Sequence, residues 1–154
     1  MPAEIGDIAP DFTLKDGEGN EVTLSSFQGA KNVTVVFIPF SFSGICQAEL
    51  CSLRDDVASF DHVNTQVLAI SCDSRHVQRA WSEQQGYTFP VLSDSWPHGA
   101  TAQAYGVFND ALGCATRTTF VIDKQGKIAA KFGTPELTTP RAMDDYEKAL
   151  AALS

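Results

Sequence analysis

The chain predicts an α/β domain: a central mixed β-sheet flanked by helices, with a β-hairpin at its N-terminal end. Three observations predict it. Asn32-Val-Thr-Val-Val-Phe-Ile38 and Val67-Leu-Ala-Ile-Ser71 are β-branched or apolar on both faces, as central strands are. Stretches of helical spacing follow each of them, and strand, helix, strand, helix in that order implies a βαβ crossover. A later pair of runs, Thr118–Asp123 and Lys127–Phe132, flanks Lys124-Gln-Gly126 as a hairpin and adds antiparallel strands.

Taken in order, Asp11-Phe-Thr-Leu-Lys15 and Glu21-Val-Thr-Leu24 alternate apolar and polar around Asp16-Gly-Glu-Gly-Asn20, the pattern of a half-exposed hairpin. The first central strand stops at Pro39. Gly44 to Phe60 then carries Ile45, Leu50, Leu53, Val57 and Phe60 at helical spacing. Val77 to Gly86 is a shorter amphipathic stretch with a glycine stop, Phe89–Leu92 a short strand, and Gly99–Tyr105 a helix. Arg141–Leu150, after Pro140, closes the chain as a helix. No repeat, low-complexity tract or linker interrupts it, and 154 residues suffice for one well-buried core, so the expectation is a single domain over 1–154.

A formal net charge of −8 opposes binding to a phosphate backbone, which depends on Lys and Arg, so nucleic acid is not expected as a partner. No apolar run approaches the roughly 20 residues needed to span a bilayer, so no membrane is expected either. The start Met1-Pro-Ala-Glu-Ile-Gly-Asp7 lacks the charge and apolar stretch of a secretory leader. The expected location is cytoplasmic. Four cysteines, Cys46, Cys51, Cys72 and Cys114, are too sparse for a disulfide scaffold, which leaves reactivity or burial as their purpose. They form no Cys-x-x-Cys or Cys/His pairing of the zinc type, and no glycine-rich phosphate loop is present, so neither a metal nor a nucleotide cofactor is expected.

The chemistry concentrates in Pro39-Phe-Ser-Phe-Ser-Gly-Ile-Cys46, where a central strand gives way to a helix. Cys46 falls in the first helical turn, beside backbone N–H groups that have no partner within the helix. Helix N-termini and nearby cations lower a cysteine pKa from its ordinary value of about 8.5, and the thiolate is the nucleophilic form. A buried structural cysteine is the competing expectation, which the Pro, Ser and Gly at this junction argue against.

Pro39-x-x-x-Ser43-x-x-Cys46 resembles the Pro-x-x-x-Thr/Ser-x-x-Cys active-site motif of the peroxiredoxins, with serine in the hydroxyl position. The resemblance runs from Ala9-Pro-Asp-Phe-Thr-Leu14 through Ser93-Asp-Ser-Trp-Pro-His-Gly-Ala100 and Ala104-Tyr-Gly-Val-Phe-Asn109 to Arg117-Thr-Thr-Phe-Val-Ile-Asp123. The Trp-Pro-His-Gly segment is similar to that of the one-cysteine, AhpE-type branch. What the resemblance implies is a thioredoxin-like fold, a hydroperoxide substrate, no bound cofactor, and a homodimer or larger homo-oligomer. It further implies Cys46 as the peroxidatic cysteine, Ser43 as hydrogen-bond partner to thiolate and peroxide, Pro39 as a shield over the pocket, and Arg117 as the cation. These roles suit the chemistry. Attack on an O–O bond needs a thiolate, fixed donors along the oxygens and exclusion of water. Arg117 supplies a permanent charge and Pro39 has no N–H to compete. Ser43 also suits a helix N-cap, a compatible duty. Glu49, three residues after Cys46, either pairs with the arginine or lies on a solvated helix face.

The sulfenic acid formed at Cys46 must be reduced by a second thiol. Cys51, at Cys46-x4-Cys51, resembles the resolving cysteine of the PrxQ or bacterioferritin-comigratory branch, whereas AhpE-type enzymes lack a thiol there. On an intact helix, residues five apart are separated by roughly 7.5 Å along the axis and about 140° around it. A Cys46–Cys51 disulfide therefore requires local unwinding. Cys72, at a strand end, and Cys114, in an expected loop, are rival resolvers, and an external thiol or dithiol, thioredoxin-like, mycoredoxin-like or of low molecular weight, completes the alternatives.

His98 suits a capping or subunit contact better than catalysis, Trp81 and Trp96 suit core or interface, and Phe40 and Phe42 either line the pocket or simply pack. Two other functions fit the same fold. A thioredoxin-like thiol-disulfide oxidoreductase would need a Cys-x-x-Cys, but Ser43-Gly-Ile-Cys46 stands at that spacing. A redox-sensing or holdase module would bind partners on oxidation without turnover.

Overall fold

The computed structural model describes residues 3–42, 44–55, 64–133 and 143–151, apart from the side chains of Ile45, Cys46, Met143 and Asp144. The opening ribbon is β1 (Thr13–Lys15) and β2 (Glu21–Thr23). Its turn is closed by the Asp16 carboxylate, which accepts the N–H groups of Glu18 at 2.9 Å and Asn20 at 3.0 Å. Leu24, expected as the end of the ribbon, instead begins a 3-10 turn, Leu24–Phe27, and is buried. There follow β3 (Asn32–Phe37), α1 (Gly44–Asp55), β4 (Thr65–Ser71), α2 (Arg75–Gln85), β5 (Val91–Ser93) and α3 (Ala100–Ala104). A two-stranded ribbon that the sequence did not reveal, β6 (Phe108–Asn109) with β7 (Cys114–Ala115), precedes β8 (Thr118–Ile122), β9 (Ile128–Gly133) and α4 (Met143–Ala151). The expected continuation of the first helix over 56–60 and the start of the last at 141–142 lie outside the described residues.

Local chemistry explains the boundaries. The Ser74 hydroxyl accepts the Val77 N–H at the start of α2, and Gly86 ends that helix with φ 68°, a left-handed conformation that glycine adopts without strain. In the β8–β9 turn, Asp123 accepts the N–H groups of Gln125 and Lys127, each at 3.0 Å.

The seven-stranded sheet has the order β2-β1-β5-β4-β3-β8-β9. β3, β4 and β5 run parallel, while β1 and β8 pair antiparallel to their neighbours, so the sheet is mixed as expected. Both faces of β3 are covered, which is why it reads as a continuous apolar run. Val33, Val35 and Phe37 pack with Leu68, Ile70, Phe120 and Tyr105 on one face. Val36 and Ile38 pack on the other against Leu50 and Leu53 of α1, Trp81 of α2, and Tyr146 and Leu150 of α4. Leu50 and Leu53 thus occupy the core positions their spacing predicts. Among the described residues no helix is long and apolar enough to cross a membrane.

Candidate active site

The parallel pairing of β3 with β4, Asn32↔Thr65 through Phe37↔Ile70, brings the C-terminal ends of both strands to one edge. Pro39 lies just beyond β3 at that edge and is buried. The chain then passes through Phe40, Ser41 and Phe42 into α1, so the backbone of Cys46 is in the first turn of that helix, as expected. Its side chain, and Ser43 altogether, lie outside the described residues.

β8 runs antiparallel to β3 with Val36 opposite Thr119. Continuing that register by two residues sets Arg117 opposite Ile38, one residue from Pro39. The side chain is buried, with 1% of the residue exposed, which removes the alternative of a surface charge beginning a strand. Its guanidinium donates to the Glu49 carboxylate, which is itself buried on α1. Of the two expectations for Glu49, the pairing holds and the solvated face does not. Gly133 on β9 permits this placement. It pairs with Thr118, and a Cβ there would strike the Arg117 carbonyl and the Thr118 Cα. Glycine is required at this point by close backbone approach.

The pair has a chemical consequence. A guanidinium held in one place by a buried carboxylate offers further N–H donors in a fixed fork, at the same sheet edge as the helix turn bearing Cys46. It also ties that helix to the residue just before β8, across 68 residues of sequence.

A second set of contacts holds the loop between Pro39 and Cys46. The Ser41 N–H donates to Asp73 Oδ2 at 2.7 Å, and the Ser71 hydroxyl donates to the same oxygen at 2.7 Å. Ser71 in turn accepts from Gln78 Nε2 at 2.8 Å, and the Ser93 hydroxyl donates to the Asp73 carbonyl at 2.7 Å. Phe42, in the same loop, has φ 65°, the left-handed region that a bulky residue occupies only when its surroundings hold it. Phe40 and Phe42 are exposed, and Phe42 lies 6.1 Å from the Trp81 ring. Sequence reasoning missed Asp73 and Gly133. The one usable signal was an aspartate two residues beyond a central strand, at the edge where the helix bearing Cys46 begins.

Cys51 is half-buried on α1. Its thiol donates to Gln85 Oε1 at 3.5 Å and lies 3.7 Å from the Tyr87 hydroxyl. That hydroxyl donates to the Gln47 carbonyl at 3.5 Å, while the indole N–H of the fully buried Trp81 donates to Gln47 Oε1 at 3.2 Å. Tyr87 packs edge-on against Trp81 with ring centroids 5.2 Å apart. Arg54 donates to the Gln85 carbonyl, so α1 is fastened to the end of α2 at two successive turns.

Cys72 follows β4 and Cys114 is fully buried in β7, where the sequence suggests a loop. Burial pushes the Cys72 thiol up to about 12, with the negative charges of Asp94 and Asp73 adding to the effect and the Ala115 backbone hydrogen bond opposing it. At neutral pH it is a thiol, not a nucleophilic thiolate. Trp96 is 73% exposed, with His98 edge-on at 4.6 Å, and the His98 carbonyl accepts from Gln103 Nε2. Neither ring lies in the buried Arg117 and Glu49 cluster.

Comparison with known proteins gives a consistent picture. The chain is 48% identical over 153 residues to alkyl hydroperoxide reductase E of Mycobacterium tuberculosis, covering 97% of each. It is 32% identical over 149 residues to the chloroplastic peroxiredoxin Q of Sedum lineare, covering 96% of this chain and 78% of that one. Among solved structures, peroxidoxin BcpB of Mycobacterium tuberculosis superposes with a TM-score of 0.86 at 32% identity, covering 98% of this chain and 96% of that one. The fold is accordingly the thioredoxin-like one of the peroxiredoxins. The model of the AhpC/TSA family matches residues 5–131, and with the relatives above it shows that the chain belongs to that family, among the peroxiredoxins.

Proposed function

We propose that the chain is a thiol-dependent peroxidase that reduces hydrogen peroxide and organic hydroperoxides through Cys46. The single observation carrying the site assignment is the buried Arg117, paired with Glu49 and set by strand register beside Pro39 at the end of the sheet where the helix of Cys46 begins. The Cys46 thiolate attacks the nearer peroxide oxygen. The S–O bond forms as the O–O bond breaks, and the departing oxygen takes up a proton to leave as water or an alcohol. Arg117 stabilises the charge moving onto that oxygen, Pro39 excludes water, and Ser43 donates to the reacting oxygens. Cys46→Ser abolishes peroxide consumption, and an active serine variant would remove the mechanism. Arg117→Ala slows the peroxide step by about 100-fold or more.

The sulfenic acid is resolved by thiol chemistry, with Cys51 the internal candidate. In α1 both cysteines are helical, so their pairing requires that segment to unwind and the Cys51 thiol to leave Gln85 and Tyr87. Those same contacts favour a second reading, in which Cys51 stays in place and an external thiol resolves Cys46. Peptide mapping after one equivalent of peroxide separates the two, by a Cys46–Cys51 cross-link or a lasting sulfenic acid. A cross-link assigns recycling to a thioredoxin-like dithiol, and a sulfenic acid to a mycoredoxin-like or low-molecular-weight thiol. The family and the exposed Trp96 support a homodimer or larger assembly. Light scattering of the wild type against Trp96→Ala tests it.

A further inference from the structure

We infer that Asp73 is a positioning residue for the peroxide reaction, holding the loop from Pro39 to Phe42 in the geometry that serves Cys46. This rests on the assignment of Cys46 as the peroxide-reactive thiol. Asp73 directly precedes Ser74, the residue that caps α2, yet its carboxylate is not spent on that helix. It reaches 32 residues back to the Ser41 N–H at 2.7 Å, crossing from the end of β4 to the end of β3. A partly buried, charge-assisted bond of this length is among the stronger ones available to a side chain.

The carboxylate is itself oriented. Ser71 donates to the oxygen that Ser41 uses, and Ser71 is fixed from behind by the fully buried Gln78, whose Nε2 also donates to the Leu92 carbonyl at 2.7 Å. The chain Gln78, Ser71, Asp73, Ser41 therefore runs from the interior of α2 and β5 to the loop before α1. Phe42, one residue beyond Ser41, holds a left-handed φ of 65°, a strained conformation that persists only where neighbours fix the backbone. With the Ser41 amide unclamped, that backbone relaxes. Pro39 and the first turn of α1 then lose their mutual placement, and an error of about 1 Å in reacting geometry costs up to about 100-fold in rate.

Both hydrogen bonds end on one oxygen, so Asp73→Asn can preserve the geometry with its amide oxygen while removing the charge. Asp73→Ala removes both. The test compares the second-order rate of Cys46 with hydrogen peroxide against its alkylation by iodoacetamide, which needs a thiolate but no peroxide geometry. Asp73→Ala is expected to slow the peroxide reaction about 10-fold or more while alkylation changes less than about threefold. Asp73→Asn is expected to stay within about threefold of wild type in both. A wild-type peroxide rate in Asp73→Ala would overturn the inference, as would Asp73→Asn falling as far as the alanine variant. If Asp73→Ala does not fold, Ser71→Ala decides: a several-fold loss confined to the peroxide reaction supports the inference, and a wild-type rate overturns it. Peroxide consumption that survives Cys46→Ser would instead overturn the reading beneath it, whereas loss in Cys46→Ser with no effect at Asp73 would overturn this inference alone.

Discussion

Replacing Glu49 by alanine strips the carboxylate from a guanidinium whose side chain is 2% exposed, the carboxylate's own being 6% exposed. Removing one partner of such a pair costs about 3–5 kcal/mol, because the remaining charge loses its compensation in a medium that solvates it poorly. In a chain of this size each kcal/mol lowers the melting temperature by roughly 2–4 °C, so the expected fall is about 6–20 °C. The molecule carries its own control. Arg79 and Glu83 form an ion pair at 3.0 Å with side chains 57% and 66% exposed, where water screens the attraction. Glu83→Ala should cost less than about 1 kcal/mol. Thermal and urea unfolding of the two variants provides the comparison, with peroxide kinetics run in parallel. A third variant divides stability from function. Glu49→Leu with Arg117→Met replaces the pair by apolar volume and should recover most of the lost stability, since buried pairs often gain little over well-packed apolar groups. It should still reduce peroxide about 100-fold or more slowly than wild type, because the proposed cation is gone. Equal losses for Glu49→Ala and Glu83→Ala would refute the assignment of a buried, structurally required pair, and a double variant with the wild-type peroxide rate would refute the proposed use of Arg117.

Gly133→Ala should destabilise the protein by about 1–3 kcal/mol and slow peroxide reduction, since the added methyl meets the Arg117 carbonyl and must displace the strand that positions it; urea unfolding and stopped-flow rates check both. If Cys51 leaves its site on oxidation, the contacts joining it through Tyr87 to Trp81 break, so indole emission should change on the timescale of cross-linking in the wild type and not in Cys51→Ser. With its pKa near 12, Cys72 has about one thiolate in ten thousand at pH 8 and should resist alkylation in the native state while reacting freely in urea, as mass mapping would show. Because the folded state holds this proton above the ordinary thiol value of about 8.5, its contribution to stability is complete below about pH 8.5 and is lost as pH rises from there towards 12; unfolding midpoints of wild type and Cys72→Ala should therefore diverge across that window.

The parts of this protein that the sequence determines by itself are those governed by local rules. The β-branched and aromatic run Asn32–Phe37, the Asp-and-Gly turns at 16–20 and 123–126, the glycine stop at 86 and the helical spacing of Leu50 and Leu53 each encode their element within a few residues. The place of Cys46 in a first helical turn is equally local, following from Pro39 and the onset of periodicity after Gly44. Leu24 and Cys114 escaped that reading because a two-residue ribbon and a 3-10 turn have no period long enough to register.

What only the tertiary structure decided is which distant residues meet. Antiparallel pairing of β8 with β3 carries Arg117 to the sheet edge, and the fold seats Glu49 against it, where sequence left a solvated face equally open. Parallel pairing of β4 with β3 carries Asp73 to the loop before Cys46, and the packing of α1 on α2 sets the Cys51 thiol against Gln85 and Tyr87. The physical reason is that hydrogen-bond and charge partners more than a few residues apart are selected by strand register and core packing. These are properties of the whole sheet, and no window of the chain contains them.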